Sequence, residues 1–271
     1  MAAFLETFER VETKYTLDAD QTAFIQAGIS AYMALDRYGE SRITSLYYDT
    51  PDRAMIARSV EKPNYKEKLR LRRYSPPCPY DDSMHAVDFE WDEKHICYLE
   101  SKVKYDGIVY KRRFAITEGA ATDFVCGMPY DEAVALHPLH ESDAAKLNEY
   151  RTRQIAREIR SMTRRWGGVV PSCDLTVLRQ AWAPTVDDLN LRITFDREIA
   201  YADLVANDGM WHRLVEPGTS IMETKAVGAV PGWFAHLLTQ CRAYPNSYTK
   251  YGRAYVDIMT RARKDKDHRA A

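Results

Sequence analysis

A run of basic side chains at every second position is the part of this sequence best suited to chemistry. The run consists of Lys66, Lys68, Arg70 and Arg72. Because the side chains of a β-strand point alternately to its two faces, a strand here collects these cations on one face. Leu69 and Leu71 then lie on the opposite face. Four neighbouring cations repel one another, so we expect an anionic ligand opposite them.

Several other segments alternate in the same way between a charged and an apolar face. Their charged-face positions are Arg10, Glu12, Lys14, Glu100, Lys102, Lys104, Lys111, Arg113, Arg179, Arg192, Thr194, Asp196, Glu223 and Lys225. Together with the basic run, these positions have about three cations for each carboxylate. Charged faces on about eight strands predict an α+β fold, in which a closed antiparallel β-barrel has a charged lumen and helices pack outside.

Many cations combined with a few carboxylates are typical of a site for polyanions and a divalent metal. Arginine and lysine neutralise phosphate oxygens, whereas carboxylates hold Mg²⁺ or Mn²⁺. The candidate metal ligands are Glu12, Glu100, Asp196 and Glu223. The alternative is a set of salt-bridge ladders on an antiparallel sheet, which would balance charge across the strands. The sequence has neither a GxxxxGK[ST] loop nor a GxGxxG turn, so a nucleotide would be held in another way.

The composition narrows the class of protein. The chain has 271 residues, of which 45% are apolar and 28% charged, as expected for a soluble globular protein. A net charge of −1 argues against a general nucleic-acid binder. Five scattered cysteines without a CxxC pair indicate reduced thiols and a cytoplasmic location. We find no apolar run of membrane-spanning length, so membrane association would need a partner protein.

Turn and periodicity signals divide the chain into predicted elements of a single domain over residues 1–271. The basic strand is predicted over Tyr65–Tyr74, and a hairpin of Tyr98–Tyr105 and Val109–Ile116 turns at Asp106-Gly107. A helical pattern runs from about Ala120 to Trp166, and Gly39 is expected to close an earlier helix. A further strand is expected over Ala86–Trp91, and a basic tail over residues 261–271 is expected to fray.

Eight short motifs occur in an order that resembles one known family. They are Arg10-x-Glu12-x-Lys14-Tyr15, Ser45-Leu46-Tyr47-Tyr48-Asp49-Thr50, Lys68-Leu69-Arg70-Leu71-Arg72, Leu99-Glu100-Ser101-Lys102, Lys111-Arg112-Arg113, Leu191-Arg192-Ile193-Thr194-Phe195-Asp196, Met222-Glu223-Thr224-Lys225 and Thr249-Lys250-Tyr251. Together they resemble the VTC domain, the polyphosphate polymerase of the vacuolar transporter chaperone complex. This domain belongs to the triphosphate tunnel metalloenzyme (CYTH-like) superfamily. The resemblance covers about residues 8–255.

The resemblance implies a tunnel that transfers the γ-phosphate of ATP to a polyphosphate chain with Mn²⁺ or Mg²⁺. It implies that Lys14, Arg70, Arg72, Lys102 and Arg179 bind phosphate, that Glu223 binds the metal and that Lys250 lies near the tunnel end. Arg10 stands where hydrolytic members of the superfamily carry the first Glu of ExExK, which is expected for the VTC branch. Thr249 replaces the usual Ser, and residues 75–95 resemble an insertion.

Three functions follow from these observations. The leading hypothesis is a metal-dependent polyphosphate polymerase whose ligands are ATP, inorganic polyphosphate, tripolyphosphate and pyrophosphate. The second is a tripolyphosphatase or nucleoside triphosphatase that uses the same tunnel with water as the acceptor. The third is a polyphosphate-binding module without catalysis. Carboxylates among the cations favour metal chemistry over binding alone.

Overall fold

The structure, a computed structural model, describes residues 10–77, 92–186, 190–207 and 209–270 of the chain. Its strands are β1 Arg10–Leu17, β2 Met33–Asp49, β3 Tyr65–Ser75, β4 Cys97–Tyr105, β5 Ile108–Ile116, β6 Val170–Pro184, β7 Leu191–Asp203, β8 Trp211–Arg213, β9 Ser220–Val227 and β10 Pro245–Asn246. Its helices are α1 Ala19–Ile29, α2 Ala54–Val60, α3 Glu118–Val125, α4 Tyr130–Leu136, α5 Glu141–Ala144, α6 Glu149–Arg165, α7 Gly232–Gln240 and α8 Lys250–Ala270. In this part of the chain, each helix is too short or too polar to cross a membrane.

The ten described strands form one large antiparallel sheet, which confirms the predicted α+β class. The strand order is β10-β1-β9-β7-β6-β2-β3-β4-β5, with β8 paired to β7. This path has two ends, and within the described ranges β5 and β10 are not paired with each other. The closed barrel therefore stays a prediction.

The chain divides into two compact units. Unit 1 is drawn from Met1–Arg42, Val177–Ile199 and Val215–Thr249, and unit 2 from Ile43–Thr176, Ala200–Leu214 and Lys250–Ala271. Strands β2, β6 and β7 contribute residues to both. The single domain expected over residues 1–271 remains a prediction.

The core of unit 2 lies on the apolar face of the basic strand. Leu69 and Leu71 are fully buried, as is Leu99 on the neighbouring strand. Side chains of α3 and α6, such as Phe124 and Ile159, pack into the same core. The predicted alternation of β3 is therefore confirmed, because burial of the leucines leaves the cations on the other face.

The core of unit 1 follows the same rule. Ile193 and Phe195 of β7 and Met222 of β9 are fully buried, and they pack with Ile29 of α1 and Phe234 of α7. Helix α1 begins with a capping box, in which the Asp18 carboxylate accepts from the Gln21 backbone and the Gln21 side chain accepts from Asp18. Helices thus cover the apolar side of the strands in each unit.

Glu67 is a buried carboxylate on the apolar face of β3 that the sequence pattern did not single out. Its side chain accepts from Arg165 at 2.7 Å and from the Trp166 indole Nε1 at 2.8 Å. The Tyr65 hydroxyl donates to the same carboxylate. Since Arg165 and Trp166 lie at the end of α6, Glu67 fastens this helix to the sheet behind the row of cations.

Some boundaries differ from the sequence predictions. Gly39 lies within β2 and does not close a helix, because α1 already ends at Ile29 and β2 begins at Met33. The hairpin at Asp106-Gly107 is confirmed, and positive φ angles of 44° and 84° suit its two-residue turn. Helix α8 continues to Ala270 where fraying after Arg261 was expected. The expected strand Ala86–Trp91 lies outside the described residues, as does most of the 75–95 segment.

We expect Glu67→Gln to destabilise the protein by about 1.5–3 kcal/mol, because it removes the charge that accepts hydrogen bonds from two α6 side chains in a buried site. Glu158→Gln is the matched control, since Glu158 pairs with Arg112 at 3.5 Å and both side chains are at least 40% exposed. The control should lose less than about 1 kcal/mol. Urea unfolding checks both, and equal losses would contradict the fastening role of Glu67.

Candidate functional site

The pairing register of β3, β4 and β5 builds a two-dimensional array of cations in unit 2, here called the basic face. Its members are Lys66, Lys68, Arg70, Arg72, Glu100, Lys102, Lys104, Lys111 and Arg113. Lys66 lies opposite Lys104, and Lys68 lies opposite Lys102, which is opposite Lys111. The register thus brings like charges directly together, which is unfavourable in a sheet unless an anion offsets them.

Glu100 is the single carboxylate of the basic face and is surrounded by cations. It is 1% exposed and lies between Arg70 and Arg113 in the register. Arg70 donates to Glu100 Oε2 from Nε at 2.9 Å and from a terminal nitrogen at 2.7 Å. Lys111 Nζ lies 2.8 Å and Arg113 3.7 Å from the other oxygen. Burial alone would raise the pKa of Glu100, but Arg70 and Arg72 lower it to about 2.

The remaining cations of the basic face show the cost of their crowding. Burial lowers the pKa of Lys66 and Lys68, and neighbouring lysines lower both further. For Lys111, burial also outweighs the opposing effect of Glu100, so its pKa is lowered. One carboxylate therefore does not offset eight cations, and a bound polyanion would relieve this repulsion.

Tyr47, a residue that the sequence pattern left without a role, contacts the basic face. Its buried hydroxyl accepts from Arg70 at 3.2 Å, and its ring stacks on Tyr251 with centroids 4.1 Å apart. Tyr251 in turn donates to Asp49 at 3.0 Å. Burial opposes ionisation of Tyr47, but Arg70, Lys68 and Arg72 lower its pKa. Both Tyr47 and Tyr251 stand in the motifs that resemble the VTC domain, and this was the one sequence signal that pointed to them.

The second group of predicted site residues lies in unit 1, on β1, β7 and β9. The register places Glu12 opposite Lys225 and Lys14 opposite Glu223. Lys225 Nζ is 2.7 Å from Glu223, and Lys14 Nζ is 3.3 Å from Glu12 and 3.7 Å from Glu223. Each lysine here has a carboxylate beside it, so this group forms a charge-balanced ladder.

The other predicted residues of unit 1 are also paired. Arg179 binds the fully buried Asp196 with two hydrogen bonds of 2.6 and 2.7 Å. Arg192 donates to Asp36 at 2.8 Å. The salt-bridge ladder that the sequence left open as an alternative thus describes unit 1, whereas the excess of cations is concentrated on the basic face of unit 2. Asp36 was missed because it is distant in the sequence and outside any motif.

Glu223 is a carboxylate that two lysines keep ionised. It is largely buried, and although burial opposes it, Lys225 and Lys14 lower its pKa to about 2. Among the described residues no three His, Cys, Asp or Glu side chains are arranged to hold a metal ion by themselves. Mg²⁺ is commonly held by one or two carboxylates with the substrate phosphates and water. Glu223 and Glu12 supply two carboxylates of this kind, and like Glu100 they also contact cations of the sheet.

Two further predicted residues, Arg10 and Lys250, each stand at the first position of an element. Arg10 begins β1 opposite Val227, and only its backbone is described. Lys250 is the first residue of α8. It directly precedes Tyr251, which stacks on Tyr47. Tyr47 in turn accepts a hydrogen bond from Arg70.

The low pKa of Glu100 makes a prediction for stability against pH. A carboxyl group with a folded-state pKa of about 2 and an ordinary value of 4.5 stabilises the fold fully above pH 4.5 and loses this effect as the pH falls towards 2. We expect Glu100→Gln to cost about 3 kcal/mol near neutral pH and less than half of that at pH 3. Urea unfolding of wild type and variant at both pH values measures this, and a pH-independent difference would contradict it.

Comparisons with known proteins agree with the motifs. The family model described as VTC domain matches residues 9–258. No curated protein is significantly similar in sequence. An adenylate cyclase-like protein from Vibrio parahaemolyticus is 11% identical, with a TM-score of 0.45 and coverage of 92% of this chain and 99% of that chain. For a protein from Pyrococcus horikoshii OT3 the values are 12%, 0.43, 93% and 99%. The family match spans nearly the whole chain, and the chain therefore belongs to the VTC domain family.

Proposed function

We propose that the protein is a metal-dependent polyphosphate polymerase, which transfers the γ-phosphate of ATP to a growing polyphosphate chain. The observation that carries this proposal is the basic face, where eight cations share one carboxylate. Such an array suits a ligand with negative charge at regular, short intervals. Membership of the VTC domain family supports a polyphosphate-related, nucleotide-binding function and an enzyme of the phosphotransferase type.

The chemistry needs positioning and charge stabilisation more than it needs a protein nucleophile. In this proposal Arg70 and Arg72 hold phosphate oxygens, since a guanidinium can donate two parallel hydrogen bonds to one phosphate group. Glu100 and Tyr47 fix the Arg70 side chain, because both accept hydrogen bonds from it. Lys68, Lys102 and Lys111 then neutralise further phosphates along the array.

Glu223 and Glu12 are the residues that would hold Mn²⁺ or Mg²⁺. The metal would supply Lewis-acid stabilisation of charge on the phosphoryl oxygens. In the same unit, Lys14, Arg179 and Lys225 lie beside carboxylates, so they hold these carboxylates ionised and ready to accept a cation. When substrate binds, these lysines and the arginine would leave their carboxylate partners and pair with phosphate oxygens.

The closed tunnel barrel, the single domain and the cytoplasmic location remain parts of the same proposal. So do the small-molecule partners, which are ATP, polyphosphate, tripolyphosphate and pyrophosphate, and a membrane partner protein. A tripolyphosphatase on the same residues is the second candidate. It differs only in the acceptor, which is water and not a phosphate chain, and Arg10 at the first ExExK position favours the polymerase.

Arg70→Ala and Arg72→Ala should each weaken tripolyphosphate binding by about 10- to 100-fold, because each removes charge-assisted hydrogen bonds to phosphate. Lysine at either position should restore only part of the affinity, since an ammonium group lacks the planar fork. The measurement is the rise in melting temperature on addition of tripolyphosphate, which should be smaller in the variants than in wild type.

Arg112→Ala is the matched control for the arginine variants. Arg112 lies between Lys111 and Arg113 on β5 but has the opposite orientation and pairs with Glu158. Its loss removes one arginine charge from β5, a strand of the same sheet, without touching the basic face. If tripolyphosphate raises the melting temperature equally in wild type, Arg70→Ala and Arg72→Ala, then β3 does not bind phosphate.

Incubation with ATP and Mn²⁺ should give polyphosphate, seen on a gel that resolves it from orthophosphate. Glu223→Gln should abolish turnover while the protein still folds, because an amide cannot supply the charge that a metal ligand needs. Orthophosphate as the sole product would favour the tripolyphosphatase. Full turnover of Glu223→Gln at saturating Mn²⁺ would remove Glu223 from the metal site.

A further inference from the structure

The basic face has two different ends. Along β3 the alternation continues past Arg72 to Tyr74, which therefore lies on the same face as the cations. On β4 the residue opposite Arg72 is Tyr98, two positions before Glu100. At the other end of the array, Lys66 and Lys104 face each other. One end thus has an aromatic pair, whereas the other end has a lysine pair with Val109 beside it.

The two tyrosines form a contact pair beside two arginines. The rings of Tyr74 and Tyr98 meet edge to face, with centroids 5.9 Å apart and an interplanar angle of 81°. The Arg113 guanidinium lies 5.2 Å from the Tyr98 centroid, and that of Arg72 lies 6.0 Å from the Tyr74 centroid. Both tyrosines are only partly buried, so ring surface remains available to a ligand.

Arg72 links this aromatic pair to the phosphate-binding array. A terminal nitrogen of Arg72 contacts the Tyr74 hydroxyl at 3.4 Å, which is a long hydrogen bond. Its Nε atom is buried and has no hydrogen-bond partner among the described residues. A buried donor without a partner is costly, and a phosphate or ribose oxygen placed between Arg72 and the tyrosines would satisfy it.

From this arrangement we infer that Tyr74 and Tyr98 form the nucleobase subsite of the proposed enzyme. The base of a nucleoside triphosphate stacks on the tyrosine pair, its first phosphates reach Arg72 and Arg70, and its terminal phosphate points towards the lysine end. Aromatic side chains and arginines are the groups that bind bases by stacking without reading their edges. The inference rests on the proposed function, and it adds the direction in which the nucleotide lies along β3.

Aromatic pairs on neighbouring strands can also serve packing alone. Strands β3 and β4 have a second tyrosine pair of this kind. Tyr65 and Tyr105 meet edge to face at 6.3 Å, directly opposite each other in the register. They lie on the other face of the sheet, where the Tyr65 hydroxyl donates to Glu67, and Tyr105 is 57% exposed. Tyr105 is therefore a matched control for the loss of one aromatic ring.

The test compares two ligands that share a triphosphate and differ in the nucleoside. Calorimetric titration of wild type, Tyr98→Leu, Tyr74→Leu and Tyr105→Leu with a non-hydrolysable ATP analogue, and separately with tripolyphosphate, gives the affinities. Leucine keeps apolar volume and removes the aromatic face. We expect Tyr98→Leu to weaken binding of the ATP analogue by about 5- to 150-fold, the range of base stacking on one aromatic side chain. Tripolyphosphate affinity should change less than about 2-fold, and Tyr105→Leu should change neither.

The outcomes separate this inference from the proposed function. An equal loss of both ligands in Tyr98→Leu and Tyr74→Leu would mean that the tyrosines only support Arg72, and this would overturn the inference. Unchanged affinity for the ATP analogue in both folded variants would overturn it as well. Failure of the wild type to bind tripolyphosphate would instead refute the proposed function. Tyr98→Trp, which enlarges the stacking surface, should retain or raise affinity for the ATP analogue only.

Discussion

Repulsion between cations on one face of β3, β4 and β5 is the constraint on which the rest of unit 2 depends. The register places lysine opposite lysine, which a sheet avoids unless something offsets the charge. Buried Glu100 offsets part of it through Arg70, Lys111 and Arg113. Burial, and after it the neighbouring lysines, lower the pKa values of Lys66 and Lys68, so part of the repulsion remains. In the proposed function, a bound polyanion would relieve this remaining repulsion.

Holding such a face together requires strong support from behind. Leu69, Leu71 and Leu99 are completely buried on the other side, and α6 packs across them. Glu67 ties the end of this helix to β3 through Arg165 and Trp166. Charge repulsion on one face of a strand does not reduce the stabilisation from apolar burial on the other face. The buried leucines therefore stabilise a sheet that the cations destabilise.

The two units differ in how completely their charged side chains are paired with opposite charges. Unit 1 balances its charges, as in the pairs Lys225 with Glu223 and Arg179 with Asp196. Unit 2 leaves an excess of cations. In the proposed function, the balanced group would keep carboxylates ionised for a metal, whereas the unbalanced one would attract phosphates. The single ratio of cations to carboxylates, taken over all the charged-face positions, concealed this division.

The sequence by itself determined which residues share a face, because alternation along a strand is a local property of the backbone. It therefore identified the basic face, the Asp106-Gly107 hairpin and the family. Only the tertiary structure decided how the charges pair, since pairing depends on register and packing between distant segments. Asp36 beside Arg192 and Tyr47 between Arg70 and Tyr251 are examples. No local pattern reports which side chain from more than a hundred residues away will satisfy a given cation.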